Sequence, residues 1–558
     1  MQTYACDFLF PEWSMWEQFV IDDQAGALRL DALLSSHPIE VPIAHAEEVE
    51  QVFDAISYFK GACVVRLAYS YLGKEAFFLG LQLYMDRHKY SNTETEDLWA
   101  AWEEVSGKPV LTVMNSWTKQ MGFPVLTLTS ATWSEDCTSC TVSLEQEWFI
   151  SDGSTPPDKN KLWSIPLEVS LGGMHEPLQL GILDTRSTTI VIPVESGKKT
   201  WIKFNGGQYI PMRVNYLVEE VRQELRQAVL SGEMQVTDRS GLLSDTFALV
   251  KAGKVDPGDL ITLLSAYRNE TSMPVMSAVE DSLTALHKIL LNKPELLKEF
   301  KEFGRKVIAA PVATVGWDVK PDEGHLTNLM RASLIRLQAL FDSDNPVTVA
   351  AAKERFEAYV NDYKNGEKHL PSDIKTAVIQ LVLGMQTTES ETKKNYDKCL
   401  ELIDLVDSTQ EKKEIMLAIG SVASMDLKKK TLDWCTSGAV KKQDFFYPIG
   451  SVGSSSLQGQ ELTWNYLKSN FSRIVEMIRS ASPSILGAVV SYSCAEFASE
   501  ERAKEIEEFF IANQHEHPVP LISRKLMQIV ENTRANASFL TALEGSEAFK
   551  VNLKASFN

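Results

Sequence analysis

The sequence of 558 residues has no apolar run near the ~18 residues that a membrane-spanning helix needs. Its first residues, MQTYACDFLFPEWSMW, lack the basic start of a secretory signal and include Asp7. Cysteine is scarce, because only 7, an odd number, are spread along the chain. This usage is typical of a reducing compartment rather than of a disulfide framework. We therefore expect a cytoplasmic protein that does not cross a membrane.

Positive charge is also in deficit. The chain has 75 acidic and 55 basic residues, a formal net charge of −20. Nucleic-acid phosphates are bound by clustered Lys and Arg, so this balance argues against nucleic acid as a partner. It argues less strongly against an anionic membrane surface, and we expect neither partner. Acidic charge that keeps a large protein in solution accounts for the composition.

The hydrophobic pattern divides the chain into three parts, and a chain of this length is too long for one core. Residues 1–123 and 217–558 have helical periodicity, whereas residues 124–216 alternate apolar and polar side chains. Strands are predicted at 125–129, 141–150, 162–171, 187–194 and 199–205. The fold class is thus α+β multidomain and mainly α. A small β-sandwich lies between two helical segments, and the second segment resembles paired-helix layers of an α-solenoid without a strict sequence repeat.

The stretch from Asp31 to Leu67 contains a Ser-Ser-His-Pro turn, a short extended piece and a helix that carries Tyr58. One face of this helix, at ~100° per residue, is apolar. Its members are Val49, Val52, Phe53, Ile56, Cys63, Val64 and Leu67. Asp54 and Tyr58, four apart, lie on the opposite side. Either the Tyr58 hydroxyl borders a cleft, or Tyr58 is a surface or inter-domain tyrosine. Periodicity alone favours the second alternative.

Two further residues of this helix do not fit the pattern. Lys60 falls on the apolar face, and the helical wheel does not explain it. Gly61 directly after it predicts close packing or a local irregularity.

Four strings occur in a distinctive order: SSHPIEV, FDAISYFKGACVVRL, TETEDLWAAWEEVSGKPV and NSWTKQMGFPVL. In this order they resemble the zinc aminopeptidases of the puromycin-sensitive branch, which belong to the gluzincin class. The resemblance implies that residues 1–123 are the C-terminal helical part of a thermolysin-like catalytic domain. It implies a β-sandwich over 124–216, with a W-x-I-P string at Trp163–Pro166, and a superhelical domain over 217–558. The last domain echoes family strings at 238–242, 316–317 and 323–326.

The resemblance also implies roles for individual residues. Tyr58 matches the tyrosine that donates a hydrogen bond to the oxyanion of the tetrahedral intermediate, a role suited to a phenol. Arg331 and Arg336 could face the concave side of the superhelical domain and bind a peptide carboxylate. The alternative, which the residues themselves favour, is that both are solvated arginines.

The zinc-binding motif of the family is absent from the sequence. That motif, H-E-x-x-H, places two imidazoles four residues apart on one helix. None of the 9 histidines has this spacing, and the G-A-M-E-N string that holds the substrate amine is also missing. His515-Glu516-His517 has the wrong spacing and is expected in a solvated loop. The resemblance therefore implies zinc for the family, but no residue here is nominated as a ligand and no zinc is expected on this chain alone.

One cysteine motif remains, Cys137-Thr-Ser-Cys140, in a strand-rich region. No second pair follows at the spacing of a zinc ribbon. Chance or a structural role accounts for it, and a redox or metal role is the alternative.

Two functions follow from these observations. In the first, the chain is part of a zinc aminopeptidase, inactive alone, whose missing half comes from an omitted exon or another chain. In the second, it is a non-catalytic relative that binds peptides or a partner, such as a full-length relative. Either way, helices near Tyr58 are expected to expose apolar surface.

Overall fold

The structure is a computed structural model and describes residues 2–43, 53–54, 56–195 and 197–555. Its contacts divide it into two compact units, Met1–Val255 and Asp256–Asn558. Helices dominate both units, and the first also contains two small sheets, so the predicted fold class is confirmed. The domain limits at residues 123 and 216 stay predictions.

Short helices form the beginning of the first unit. They are α1 (Gln2–Leu9), α2 (Met15–Phe19), α3 (Ala25–Asp31), α4 (Gly61–Leu72), α5 (Lys74–His88), α6 (Thr95–Ser106) and α7 (Val110–Thr118). Two π-helical turns, Val20–Gln24 and Ile56–Lys60, precede α3 and α4, and they pack against each other. Such turns are rare and often lie at functional sites.

The predicted helix around Tyr58 thus begins as a π-helical turn and continues as α4. Its predicted apolar members Ile56, Cys63, Val64 and Leu67 are all buried. Phe53 is the exception at 64% exposed, because it precedes the turn. Val49 and Val52 lie outside the described residues.

Gly61 stands where the π-helical turn passes into α4. The predicted irregularity is therefore present. The alternative, close packing, is not found, because a Cβ on Gly61 would have no heavy atom of the described residues within 4 Å.

The described residues that follow form seven strands in two sheets: β1 (Pro124–Trp133), β2 (Ser139–Trp148), β3 (Ile165–Leu171), β4 (Leu178–Leu183), β5 (Ser187–Pro193), β6 (Ile202–Phe204) and β7 (Arg213–Tyr216). Their orders are β5-β2-β1-β7 and β4-β3-β6. β2 pairs antiparallel with β1 and with β5, whereas β7 runs parallel to β1, with Val125 opposite Arg213. The five predicted strands are present, and β4 and β7 were not predicted.

The W-x-I-P string joins these strands to the helices. Gln146 on β2, which is buried, donates from Nε2 to the Trp163 carbonyl oxygen at 2.9 Å. Its Oε1 accepts from the Trp163 backbone N–H at 3.0 Å. Trp117 on α7 donates from Nε1 to the Ser164 carbonyl oxygen at 3.0 Å. This loop therefore holds α7 against the two sheets.

The remaining helices continue to the end of the chain. α8 (Glu219–Leu230) and α9 (Val236–Lys251) belong to the first unit. The second unit contains α10 (Pro257–Ala266), α11 (Met273–Leu290), α12 (Pro294–Val315), α13 (His325–Phe341), α14 (Pro346–Asn361), α15 (Gly366–His369), α16 (Ser372–Gly384), α17 (Glu389–Leu405), α18 (Thr409–Ile419), α19 (Met425–Cys435), α20 (Phe446–Gly453), α21 (Leu457–Ser469), α22 (Phe471–Ile478), α23 (Pro483–Cys494), α24 (Glu500–Ala512), α25 (Ser523–Gly545) and α26 (Glu547–Lys554).

Helices of the second unit pack in a row. α11 contacts α13, which contacts α16, and the series continues through α18 and α20 to α23. Serine, threonine, aspartate or asparagine side chains cap many of these helices, as Thr388 does for α17. The superhelical shape stays a prediction. Within the described ranges, every helix is too short or too polar to cross a lipid bilayer.

A buried carboxylate lies between β3 and α4. Glu168 on β3 accepts a hydrogen bond from the Ser70 hydroxyl on α4. Its other carboxylate oxygen is buried and has no hydrogen-bond partner among the described residues. Burial raises the pKa of Glu168 to about 7, although the Ser70 hydrogen bond and the Arg66 charge act in the opposite direction. The folded protein therefore holds Glu168 as a neutral acid below this pH.

The raised pKa predicts that folding stability falls as pH rises. Glu168 ionises near pH 4.5 when unfolded and near pH 7 when folded, so its contribution is complete below pH 4.5 and lost by pH 7. The shift corresponds to at most ~3 kcal/mol. Glu168→Gln, which stays neutral, should raise the unfolding temperature at pH 8 and much less at pH 5. Glu145→Gln, at an exposed position of β2, is the control; a similar pH-dependent gain there would contradict the prediction.

Candidate functional site

Tyr58 occupies the middle of the π-helical turn Ile56–Lys60. Its side chain is 60% exposed, as helical periodicity predicts, and its ring lies 6.0 Å from that of Phe53 between centroids. Its hydroxyl has no hydrogen-bond partner within the part of the chain that the structure describes. The hydroxyl is therefore free to donate to an external group. Whether it has the catalytic role stays a prediction.

Both carboxylate oxygens of Asp54 are engaged in hydrogen bonds. Its Oδ1 accepts from the backbone N–H groups of Ile56 at 2.9 Å and Ser57 at 3.3 Å. Its Oδ2 lies 3.0 Å from Nε2 of His37, in the Ser-Ser-His-Pro turn. Burial tends to raise the pKa of Asp54, but these hydrogen bonds and the His37 charge lower it overall. Asp54 thus anchors the start of the turn that carries Tyr58.

Lys60 anchors the other end of the turn. Its Nζ lies 2.8 Å from Oδ2 of Asp31, at the end of α3, and both side chains are 1% exposed. The same Nζ donates to the Gly122 carbonyl oxygen at 3.0 Å. Asp31 in turn accepts from the Gly122 N–H at 2.9 Å and from the Ser36 hydroxyl at 2.6 Å. This buried ion pair explains a lysine on the apolar face of the predicted helix.

Arg66 on α4 ties the helix behind Tyr58 to the segment before β7. Its guanidinium donates to the carbonyl oxygens of Gln208 at 2.9 Å and Gly207 at 3.1 Å. It also stacks over the rings of Trp16, Phe19 and Tyr209. Arg66 thus fixes the helix that follows the turn, and the Tyr58 ring stays exposed.

The sequence did not predict these anchors. His37 and Asp54 are 17 positions apart, and Asp31 and Lys60 are 29 apart, so helical spacing could not pair them. The available signals were a histidine in a proline turn and a lysine on an apolar face. Both suggest a buried charge partner, without naming it.

Arg331 is not a solvated arginine, and this alternative is wrong. The residue is 1% exposed on α13 and is paired with Glu323. Its guanidinium also donates to Oδ1 of Asn328 at 2.6 Å and to the Gly316 carbonyl oxygen at 3.2 Å. Its donors therefore stabilise the loop between α12 and α13. The contact with a peptide carboxylate stays a prediction, and this burial does not support it.

Arg336 lies one turn further along α13 and is partly exposed. Its Nε and Nη2 bind the two carboxylate oxygens of Glu280 on α11 at 2.5 and 2.9 Å. Glu280 also accepts from the Ser333 hydroxyl. The substrate-binding role of Arg336 stays a prediction; a peptide carboxylate would compete with Glu280 for the guanidinium.

The described residues do not fit a zinc site. Among the described residues, no three His, Cys, Asp or Glu side chains are grouped so as to hold a metal ion. His45 lies outside the described residues. His515 and His517 are exposed in the turn after α24, as predicted. Cys137 and Cys140 are free thiols, and Cys140 is buried.

Large apolar side chains are exposed mainly near the beginning of the described chain. More than half of the exposed ones precede residue 91, and they include Phe8, Phe10, Trp13, Phe53 and Phe59. Phe10 and Trp13 stack with centroids 4.3 Å apart. Single exposed apolar side chains are normal on a soluble protein, whereas contiguous apolar patches mark interaction sites.

Two family models match the chain. The peptidase family M1 domain matches residues 1–117, and the ERAP1-like C-terminal domain matches residues 201–535. The chain is 34% identical to Aminopeptidase M1-B of Oryza sativa subsp. japonica over 548 residues, 97% of this chain and 59% of that protein. It is 34% identical to Aminopeptidase M1 of Arabidopsis thaliana, over 97% of this chain and 60% of that protein.

A fungal relative is more distant. Aminopeptidase 2, mitochondrial, of Saccharomyces cerevisiae is 32% identical over 512 residues, 91% of this chain and 51% of that protein. The chain thus spans about half to three fifths of the length of the relatives that it matches.

The buried ion pair makes a testable prediction about stability. Lys60→Met keeps most of the side-chain volume but leaves Asp31 buried without its counter-charge, so it should cost about 3–5 kcal/mol of unfolding free energy. Adding Asp31→Asn should recover part of this loss, as measured by urea unfolding of the single and double variants. Lys89→Met, in an exposed pair with Asp86, is the control and should have little effect. Additive losses in the double variant would contradict the pairing.

Proposed function

This chain belongs to the peptidase M1 family, of which it represents the C-terminal portion, and we propose that it is the part of a zinc aminopeptidase that presents Tyr58 to the substrate. The family uses zinc, and the chain offers no zinc donor set among its described residues. In this proposal, a zinc-bearing part of the family adjoins the first unit. The complete enzyme removes N-terminal residues from peptides, and this chain alone does not.

The observation that carries the proposal is the position of Tyr58. Its hydroxyl is exposed and unpaired within the described chain, while the turn beneath it is anchored at both ends by Asp54 and Lys60. A donor held in this way loses little conformational freedom when it binds a developing negative charge. Tyr58 would donate its hydrogen bond to the oxyanion formed from the scissile carbonyl group.

The exposed apolar side chains of the first 90 residues support the second part of the proposal. Phe53, beside Tyr58, is among them. Their burial against a zinc-bearing part would stabilise the assembly at ~25 cal/mol per Å² of apolar surface. The same contact would cover the surroundings of Tyr58.

The substrates in this proposal are peptides. The relatives are named as aminopeptidases. Arg336 is the better candidate for a peptide carboxylate, since it is partly exposed whereas Arg331 is buried.

We place the protein in the cytoplasm as part of the same proposal. All seven cysteines are free, in accord with a reducing compartment. The name of one relative places that protein in mitochondria, so the relatives are not confined to one location.

The first prediction of this proposal concerns the purified chain. It should bind no stoichiometric zinc and should not hydrolyse an aminoacyl fluorogenic substrate, because the H-E-x-x-H motif is absent from its sequence. Zinc is measured by elemental analysis and turnover by fluorescence, with and without a chelator. Chelator-sensitive turnover by the chain alone would contradict the proposed division of the site.

The second prediction concerns the assembled enzyme. Co-expression with the preceding part of Aminopeptidase M1-B should produce a complex that releases the N-terminal residue and is inhibited by a chelator. Tyr58→Phe should lower kcat by about 10²–10³-fold with the complex intact, since one oxyanion donor is removed. Tyr90→Phe, at a fully exposed tyrosine, is the matched control. A complex that forms but remains inactive would favour the non-catalytic, partner-binding alternative.

A further inference from the structure

His37 makes two hydrogen bonds that place an unusual demand on its ring. Nδ1 lies 2.7 Å from the Pro38 carbonyl oxygen, and Nε2 lies 3.0 Å from Oδ2 of Asp54. A carbonyl oxygen and a carboxylate are both acceptors, so both ring nitrogens must donate at once. Only the doubly protonated, positively charged imidazole can do this. The histidine side chain is 5% exposed, so water does not readily replace either partner.

Asp54 transmits this contact to the turn that carries Tyr58. Its Oδ1 caps the first backbone N–H groups of the turn, and its own carbonyl oxygen accepts from the Tyr58 N–H at 3.2 Å. The Tyr58 ring rests on Phe53, the residue before Asp54. A displacement of Asp54 would therefore move both the backbone and the ring support of Tyr58.

Loss of one proton from His37 breaks this arrangement. A neutral ring that keeps the Nδ1 proton turns a lone pair towards the Asp54 carboxylate, and the other tautomer turns one towards Pro38. Other ionisable groups lie nearby: the Asp31–Lys60 pair, reached through Ser36, and Glu40 beyond Pro38. The Asp31–Lys60 pair has its own contacts, and Oε1 of Glu40 is buried with no hydrogen-bond partner among the described residues. Neither replaces the His37 proton.

We propose that His37 is a positioning residue, which acts through Asp54 to set the placement of Tyr58. The effect of this positioning on catalysis rests on the proposed function, in which Tyr58 is the oxyanion donor. The charged His37 holds Asp54 towards the Ser-Ser-His-Pro turn, and the neutral ring releases it. The Ser-Ser-His-Pro string thereby acquires a role in the site, although its histidine does not contact the substrate.

The test follows the ring at position 58 directly. 4-Fluorophenylalanine, which does not titrate, is placed at position 58 of the full chain, and its ¹⁹F resonance is followed from pH 5 to 9. In the otherwise native chain the resonance should shift with pH, because a charged and a neutral His37 ring hold Asp54 differently. In Asp54→Asn the shift should disappear, because the asparagine amide donates to a neutral ring whose Nδ1 still donates to Pro38. A purely structural role for the pair would not produce this difference.

Two variants complete the test. His37→Ala should give a displaced or broadened resonance that does not change with pH. His175→Ala removes an exposed histidine of the same unit and should retain the native titration. A resonance that is independent of pH in the native chain, or a titration that persists in Asp54→Asn, would overturn the proposal. Asp54→Asn is nearly isosteric and keeps the cap, so the comparison stands even if His37→Ala folds poorly.

Activity distinguishes this proposal from the proposed function. In the assembled enzyme, His37→Ala should lower kcat by on the order of tenfold with KM little changed, because the donor is misplaced and peptide binding is not. If the resonance titrates as expected but Tyr58→Phe leaves kcat unchanged, the positioning is supported and the oxyanion role of Tyr58 is wrong. If Tyr58→Phe lowers kcat while the resonance does not titrate, the positioning is wrong.

Discussion

The buried pair of Lys60 and Asp31 is the constraint on which the arrangement of the first unit depends. It joins the end of α3, the end of the π-helical turn and the loop before β1. Such a pair gains little net stability over apolar side chains of similar volume, since both charges lose their hydration. The pair nevertheless selects one arrangement of these segments, because only that arrangement satisfies both charges and the Gly122 peptide group together. Because Tyr58 lies two residues before Lys60 in the same turn, this pair also fixes the position of Tyr58.

Buried polar contacts recur where segments of the first unit meet. Asp238 on α9 accepts from the Ser170 hydroxyl at 2.7 Å and lies 3.0 Å from Nζ of Lys203. Gly241 on the same helix lies against the Gln208 side chain, where a Cβ would overlap it. The string at 238–242, which resembles the family, thus joins a helix to the sheets. In the second unit, Glu323 and Gly316 belong to two further such strings and bind Arg331. Sequence strings that are typical of a family can therefore lie at contacts between structural elements rather than at contacts with the substrate.

The sequence predicted what depends on local periodicity and missed what depends on tertiary pairing. Helical spacing placed Tyr58 on the exposed side and Ile56 in the core, because a short segment is close to regular whichever helix type it adopts. It misplaced Phe53, since the pattern does not show where the helix begins. β4 and β7 were missed for different reasons. β4 contains Gly181 with a φ of +96°, and glycine is depleted in strands. β7 is buried along its whole length, so its side chains do not alternate between buried and exposed. The partners of His37 and Lys60 lie far away in sequence, so no spacing rule could identify them.

The exposure of Tyr58 and the apolar side chains around it have a common physical consequence. In water, a phenol that donates to an oxyanion competes with solvent, and the interaction is weakened by the high dielectric constant. In the proposed assembly, burial of Phe53 and its neighbours would exclude water from the same surface. The contact that stabilises the assembly would then also strengthen the hydrogen bond that Tyr58 donates. Association and activation would be linked by one surface. The chain need not change shape for this, because Asp54 and Lys60 already hold the turn in place.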